Sequence, residues 1–267
     1  MCLLCLESGR LRVRVAWALP IFALLSACVK DDGVVEETGA SESVLESVCE
    51  TPSELLCEDE LILNLGLQDD ESSDGQVVSS ELVDGVYELQ VDASAGGISQ
   101  AASSPWVYIR FGADGAEKLA LDDESALESM EWHLAMRRFQ LRLNGGSSGP
   151  SCVGALPRLE ESFEEAQAQD PAADFLQDAF FTESCELIND TSGLPGSPQV
   201  ALGPWWSYPG CVATTGVPFV LQLEDGQQLK LVVDSYYASG QEACNAEGTM
   251  GTDSANFTLR WAWLLQG

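Results

Sequence analysis

Between residues 61 and 267, apolar positions come in short runs that alternate with polar ones and stop at turns. Val86–Val91 (VYELQV) sets Tyr87, Leu89 and Val91 on one face, the period of a half-buried strand. Val107–Phe111 (VYIRF) alternates too, then meets Gly112-Ala113-Asp114-Gly115 and a second run, AEKLAL. Asp-Gly between two apolar runs predicts a hairpin, because both residues tolerate the positive φ of a tight turn. The arrangement returns as FVLQL, Glu224-Asp225-Gly226 and QQLKLVVDSYY. Phe257–Leu265 (FTLRWAWLL) predicts a buried strand that docks the C-terminus. Leu61–Leu67 (LILNLGL), cut off by the acidic DDESSDG, joins this strand-and-turn pattern. With no internal repeat and no second linker, residues 61–267 are expected to form one mainly β domain around one core.

One stretch departs from that period. Leu159–Glu183 spaces Leu159, Phe163 and Ala166, then Phe175, Leu176, Ala179 and Phe180, as a helix would. Asp170-Pro171 interrupts it, so the spacing predicts a short helical insertion in two pieces, the second capped by Asp170. A Gly/Pro-rich loop follows and carries Trp205, Trp206 and Tyr208. Three aromatics in a loop read as a ligand platform or as a hydrophobic plug for the mouth of a sandwich.

The N-terminus has its own logic. Arg10, Arg12 and Arg14 precede an apolar run, Val15–Leu25, of signal-peptide length. The run is too short to span a bilayer. It ends in Leu25-Ser26-Ala27-Cys28, which resembles the lipobox of bacterial lipoproteins. That resemblance implies cleavage before Cys28, a diacylglycerol on its sulfur and a palmitate on the new N-terminus. Residues 1–27 are then a lipoprotein signal peptide, and residues 28–60 a lipidated Cys with an acidic flexible tether. Val29 and Lys30, with no aspartate beside Cys28, point to anchoring in the outer membrane, on its periplasmic or cell-surface face.

Charge and cysteines narrow the function. The chain carries a net charge of −31, and −33 without residues 1–27, which hold three arginines and one glutamate. Nucleic acid is excluded as a partner, since no basic footprint exists for phosphates. Adsorption to anionic lipid is excluded for the same reason. Setting aside Cys2, Cys5 and Cys28, the chain retains Cys49, Cys57, Cys152, Cys185, Cys211 and Cys244. An even set in an exported chain predicts disulfides. Proximity in sequence suggests Cys49–Cys57, Cys152–Cys185 and Cys211–Cys244.

The chemistry-bearing residues concentrate in Glu131–Gly149, EWHLAMRRFQLRLNGGSSG. It holds the only histidine, His133, and three arginines: Arg137, Arg138 and Arg142. Arg110 is expected to join this basic island from the neighbouring hairpin. The island suits a carboxylate or an acidic partner, or else pairs with the abundant Asp and Glu. In a strand beginning at Glu131, Trp132, Leu134 and Met136 share a face and His133 points away from them. Asn144-Gly145-Gly146-Ser147-Ser148-Gly149 reads as a tight turn and lacks the lysine of a phosphate loop. No G-x-S-x-G elbow accompanies the lone imidazole, so the pattern does not predict an enzyme.

The segment running from Trp132 through Asn144-Gly145-Gly146 to Gly149 resembles the core motif of the HmuY family, bacterial surface lipoproteins that bind haem. Three further pieces follow in family order: VDAS leading to Trp106–Phe111, LQLEDGQQLKLVVDSYY, and the terminal NFTLRWAW. The resemblance spans roughly Val86 to Leu265. It implies an antiparallel β-sandwich with long loops, and haem capture followed by delivery to an outer-membrane receptor. Such proteins take haem from haemoproteins and hold the iron through His or Met, in the service of iron acquisition. This chain offers His133, Met130, Met136 and Met250 as haem-binding candidates, with Arg137, Arg138 and Arg142 for the propionates or a protein partner. One histidine excludes bis-His ligation. Met250, in the Gly-rich GTMGTDS loop, has the best access. The alternative is an HmuY scaffold that binds another ligand or a protein, or serves as a structural surface module.

Overall fold

The computed structural model describes residues 48–190 and 199–265. The chain divides into Met1–Ser43 and Val44–Gly267, and all the described residues belong to the second unit. The signal peptide, Cys28 and most of the expected tether therefore lie outside the described residues.

Twelve strands and two short helices make up the described fold. They are α1 (Glu58–Leu65), β1 (Val77–Val83), β2 (Val86–Asp92), β3 (Val107–Gly112), β4 (Gly115–Leu119), β5 (Leu134–Arg137) and β6 (Gln140–Leu143). They continue with β7 (Gly154–Pro157), β8 (Trp206–Ser207), β9 (Ala213–Thr214), β10 (Phe219–Gln222), β11 (Gln228–Tyr237), α2 (Glu242–Glu247) and β12 (Ser254–Leu264). One sheet runs β1-β2-β12-β11-β10-β7 and a second runs β4-β3-β5-β6, with β8-β9 a separate ribbon. Every pairing between these strands is antiparallel. The Asp-Gly signals sit where expected: Gly112–Gly115 joins β3 to β4, and Glu224-Asp225-Gly226 lies between β10 and β11.

Alternation along the strands explains the layers. Leu89, Val91, Leu229, Leu231, Phe257, Leu259 and Trp261 of the large sheet pack on Val107, Ile109, Phe111, Leu134, Met136 and Leu143 of the small one. The outer face of the small sheet buries Trp106, Tyr108, Trp132 and Ala135 beneath Leu61 and Leu65 of α1, with Phe180 and Phe181. The outer face of the large sheet buries Val232 and Ala262 under Phe163. The architecture is an antiparallel β-sandwich, as the sequence implies.

Several expectations are corrected. Leu61–Leu67 is not a strand: residues 58–65 form α1. Leu61 and Leu65, four apart, bury one side of it, Glu58, Asp59 and Glu60 occupy its positive first turn, and Gly66 in the left-handed region ends it. The helical insertion at 159–183 is absent; the segment is turns and extended chain. Phe163 docks on the sheet between the cations of Lys230 and Arg260, at 4.8 and 4.9 Å from its ring. Further on, Leu176 bridges Ala155 of β7, and Asp178 bridges Gly146. Those partners, with Pro171 and a run of acidic side chains, outweigh the helical spacing.

The disulfides also differ. Cys49 pairs with Cys152 and Cys57 with Cys185, so the expected Cys49–Cys57 and Cys152–Cys185 do not form. Cys211–Cys244 does. Pairing follows the approach of Cα atoms, here 6.1 and 5.4 Å across the first two bonds, and packing sets that approach rather than sequence distance. The acidic segment is thus held from residue 49 onward, with Leu55 buried, and is not a free tether as far as residue 60.

Candidate functional site

The signature hairpin is built first by its own polar contacts. Trp132 is fully buried and donates its indole N–H to Ala126 O at 2.8 Å. Asn144, equally buried, donates from Nδ2 to Ser129 O and Trp132 O and accepts Ser151 N–H at Oδ1. Gly149 closes the knot: a Cβ there would lie 2.2 Å from Asn144 Oδ1 and 2.6 Å from Trp132 Cζ2. Gly146 needs its positive φ of 65° and passes so close to Asp178 O that a Cβ would sit at 2.2 Å. The motif residues Trp132, Asn144, Gly146 and Gly149 therefore shape the chain.

The arginines do not form an exposed island. Arg110 is outside the group, paired with Glu117 at 2.6 Å on the surface. Arg138, at the β5–β6 turn, donates to Ser94 O, Ser254 O and Ser254 Oγ. Arg137 and Arg142 are buried, their guanidiniums 4.7 and 4.9 Å from the Trp106 ring. Arg142 also lies 5.5 Å from the ring of Trp132. Arg137 donates to the carbonyls of Leu65, Gly66 and Ser104, and burial pushes its pKa down to about 10. Arg142 donates from Nε to Ser148 Oγ and from Nη2 to Ser148 O. Pairing with acids, one of the two roles open to the group, holds for Arg110; backbone carbonyls and serines take the others.

Two buried carboxyls complete this layer. Asp123 accepts Gln68 N–H, Trp106 N–H and the Tyr108 hydroxyl. Burial raises its pKa against those bonds. Asp178 accepts Leu143 N–H and Ala201 N–H, and burial lifts its pKa to about 6 despite them. Burial likewise raises the Tyr108 phenol. Neither aspartate was singled out by sequence reasoning. Asp178 sat inside the segment read as a helix, and Asp123 in an acidic run without a distinguishing pattern.

His133 is 4% exposed, not outward-facing. β5 begins only at Leu134, so the alternation counted from Glu131 fails: Trp132 shares a core with Ala135, while Leu134 and Met136 face the other way. The Phe111 N–H donates to His133 Nδ1 at 3.0 Å, which puts the ring proton of the neutral form on Nε2. Nε2 lies 3.4 Å from both carboxylate oxygens of Glu224. Burial raises the Glu224 pKa, but the hydrogen bond and charge of His133 outweigh it and hold the carboxyl below its ordinary value. The dyad borders a groove of about 370 Å³ with Arg110, Asp225 and Trp263. In this arrangement neither imidazole nitrogen presents a lone pair to a metal.

The thioethers separate by access. Met136 is fully buried between the sheets, Met130 is half-buried and Met250 is 60% exposed. Of His133 and the methionines, Met250 and Met130 keep an accessible donor atom. Of the loop aromatics, Trp205 is the plug, its ring tilted against those of Tyr236 and Phe257, while Tyr208 stays exposed. Trp205 and Trp206 wall a small cavity with Trp106, Phe139, Arg142 and Phe180. It adjoins a larger groove of about 510 Å³ that includes Pro204 and Tyr208.

An antiparallel sandwich with aromatic-walled grooves and a structural signature hairpin defines a β-sandwich binding module. The family model described as HmuY protein matches residues 102–247, more than half of the chain. The chain belongs to the HmuY family, whose members are binding proteins rather than enzymes. No curated protein matches it. Among solved structures, a candidate HmuY-like haem-binding protein from Bacteroides vulgatus ATCC 8482 is similar, with 16% identity, 72% of this chain and 98% of that one covered, and a TM-score of 0.43. The apo HmuY analog of Tannerella forsythia shares 15% identity over 74% of this chain and 100% of its own, with a TM-score of 0.36.

Proposed function

We propose that this protein is an exported lipoprotein, anchored through Cys28, that captures haem and passes it to an outer-membrane receptor, without enzymatic activity. The observation that carries the reading is the HmuY family match over residues 102–247. In this reading Met250 is the first iron ligand and Met130 the second choice. His133 holds the β3–β5 edge and Glu224 rather than the iron. Bound haem would bring an iron centre that needs an axial donor and an apolar slot. Met250 supplies the donor from a loop whose backbone adjoins Pro209 and Gly210.

Haem titration of the chain from residue 29 onward tests it. A Soret shift saturating at one equivalent is expected, with affinity falling at least about tenfold in Met250→Ala, a loss of about 1.4 kcal/mol. His133→Ala should leave the band position unchanged. No shift in either the ferric or the ferrous state overturns the haem reading. The engaged imidazole and the buried Met136 favour one second reading, an HmuY scaffold carrying a different ligand. That reading predicts the blank titration. For the anchor, Cys28→Ser should move the protein out of the membrane fraction; retention there contradicts lipidation.

A further inference from the structure

Three disulfides tie the described residues together, and one of them differs in its backbone. Cys57 and Cys185 both sit at positive φ, 64° and 61°, in the left-handed region that residues with a Cβ rarely adopt. Cys49, Cys152, Cys211 and Cys244 do not. Each of the two positions is ordinarily built another way. Cys57 is the N-cap of α1, and an N-cap residue is usually extended. Cys185 lies in a tight turn, with its own N–H on Thr182 O and the Thr182 N–H on Glu186 O, both at 2.9 Å. The left-handed place in such a turn suits glycine or asparagine. Both ends of this bridge therefore hold backbone strain that the other two bridges lack.

The strain can be released and the bond can be reached. Residues 51–54 and Leu56 before the N-cap are exposed, as are Glu183, Ser184 and Glu186 around Cys185, so both segments have room to relax. Cys57 and Cys185 are half-buried, whereas Cys211 and Cys244 are closed off at 0% and 1% exposure. Cys49 and Cys152 are half-buried too, so backbone conformation is what sets their bridge apart from this one. The two ends of α1 are also held differently. Leu65 O and Gly66 O, at its C-terminal end, take the guanidinium of the buried Arg137. Glu58, Asp59 and Glu60 in its first turn are exposed, and Cys57 fastens that end. Beneath the helix lies the outer layer of Trp106, Tyr108, Trp132 and Phe180.

We propose that Cys57–Cys185 is a thiol-exchange site, opened by a protein dithiol ahead of the other two bridges, and that opening lifts the N-terminal end of α1 from the outer layer while Arg137 pins the other end. A thiolate of the dithiol attacks one sulfur of the bridge, and the S–S bond breaks. The second cysteine leaves as a thiolate and takes a proton from water. The dithiol's remaining thiol then loses its proton and displaces the first cysteine, which is protonated in turn. The dithiol ends as a disulfide, and Cys57 and Cys185 end as thiols. Relief of the two left-handed residues favours this direction. The site works with or without a ligand in the grooves.

The probe is dithiothreitol, set at a series of reduced-to-oxidised ratios on the full chain with its three bridges closed and its other cysteines blocked beforehand. Thiols formed at each ratio are trapped with iodoacetamide and assigned by peptide mass mapping. Cys57 and Cys185 are expected to reach half labelling at a ratio at least about tenfold below that for Cys49 and Cys152, the scale set by strain at two residues. Cys211 and Cys244 should come last. Hydrogen exchange over residues 58–65 should quicken in step with the first labelling, while residues 132–149 stay protected. Labelling of either other pair as early as Cys57 and Cys185 overturns the proposal. So does a first labelling that leaves exchange over 58–65 unchanged, since the bridge would then not hold the helix.

Discussion

Trp132, Asn144 and Gly149 show what single residues of the signature do. Each is explained by a contact inside the hairpin knot, so substitutions there should lower stability before they touch binding. Trp132→Ala is expected to cost about 3–5 kcal/mol in urea denaturation, the usual loss for a buried tryptophan. His133 makes a sharper prediction. With its imidazole removed in His133→Ala, burial acts on Glu224 against only a backbone hydrogen bond and the charge of Arg110, and that carboxyl should titrate higher than in the wild type; carbon-13 NMR of the glutamate carboxyls reads this directly. Asp178 works in the opposite sense to an ion-paired carboxylate. Its pKa of about 6 exceeds the ordinary 3.8, so the folded state binds the proton more tightly. Its contribution to stability is complete below the ordinary value and is lost as pH rises through about 6. An Asp178 resonance titrating near the ordinary value would refute that. Residue identity was legible here and orientation was not: a strand boundary shifted to Leu134 is enough to turn His133 inward.

At the scale of elements, the period-2 runs and Asp-Gly turns place β2, β3, β4, β10, β11 and β12, because alternation and turn chemistry are local. The misread elements are those whose shape comes from distant partners. Residues 159–183 have helical spacing, yet Phe163 lies between Lys230 and Arg260, and Leu176 pairs with Ala155. The helix α1 was hidden because an eight-residue apolar-polar run fits either period. It lies over the outer core of the small sheet, and Cys57 at its N-cap ties it to Cys185. Replacing both cysteines by alanine should cost about 2–5 kcal/mol and expose the backbone around α1 to limited proteolysis. Unchanged protease resistance would show that Leu61 and Leu65 hold the helix unaided.

For the whole molecule, charge is the dominant global quantity. A net −33 on the chain after residue 27 means self-repulsion in the compact state. The melting temperature is expected to rise with sodium chloride from low ionic strength toward 0.15 M, where the Debye length is about 8 Å, and then to level off. A melting temperature indifferent to salt would mean the acids are already locally balanced. The family and the sandwich were legible from motif order and alternation. The small cavity between Trp106, Arg142 and Trp205 was not, since these residues meet only when both sheets and the late loop have packed.

The crossing of Cys57 to Cys185 has a mechanical consequence. Every element from α1 to β7 lies between the two bonded residues. Tension applied upstream of Cys49 and at the C-terminus can pass along residues 49–57, over the sulfur bridge and out at Cys185. The intervening chain then carries no load. In an optical trap the oxidised protein should yield a contour length on the order of 550 Å shorter than the reduced one, from sequence separations of 128 residues across Cys57–Cys185 and 33 across Cys211–Cys244. The bridge makes the first half of the sandwich a passenger under load, and Cys211–Cys244 does the same for β9–β11, so a pull on the N-terminus would load β8 and β12 and leave the signature hairpin's own chain slack.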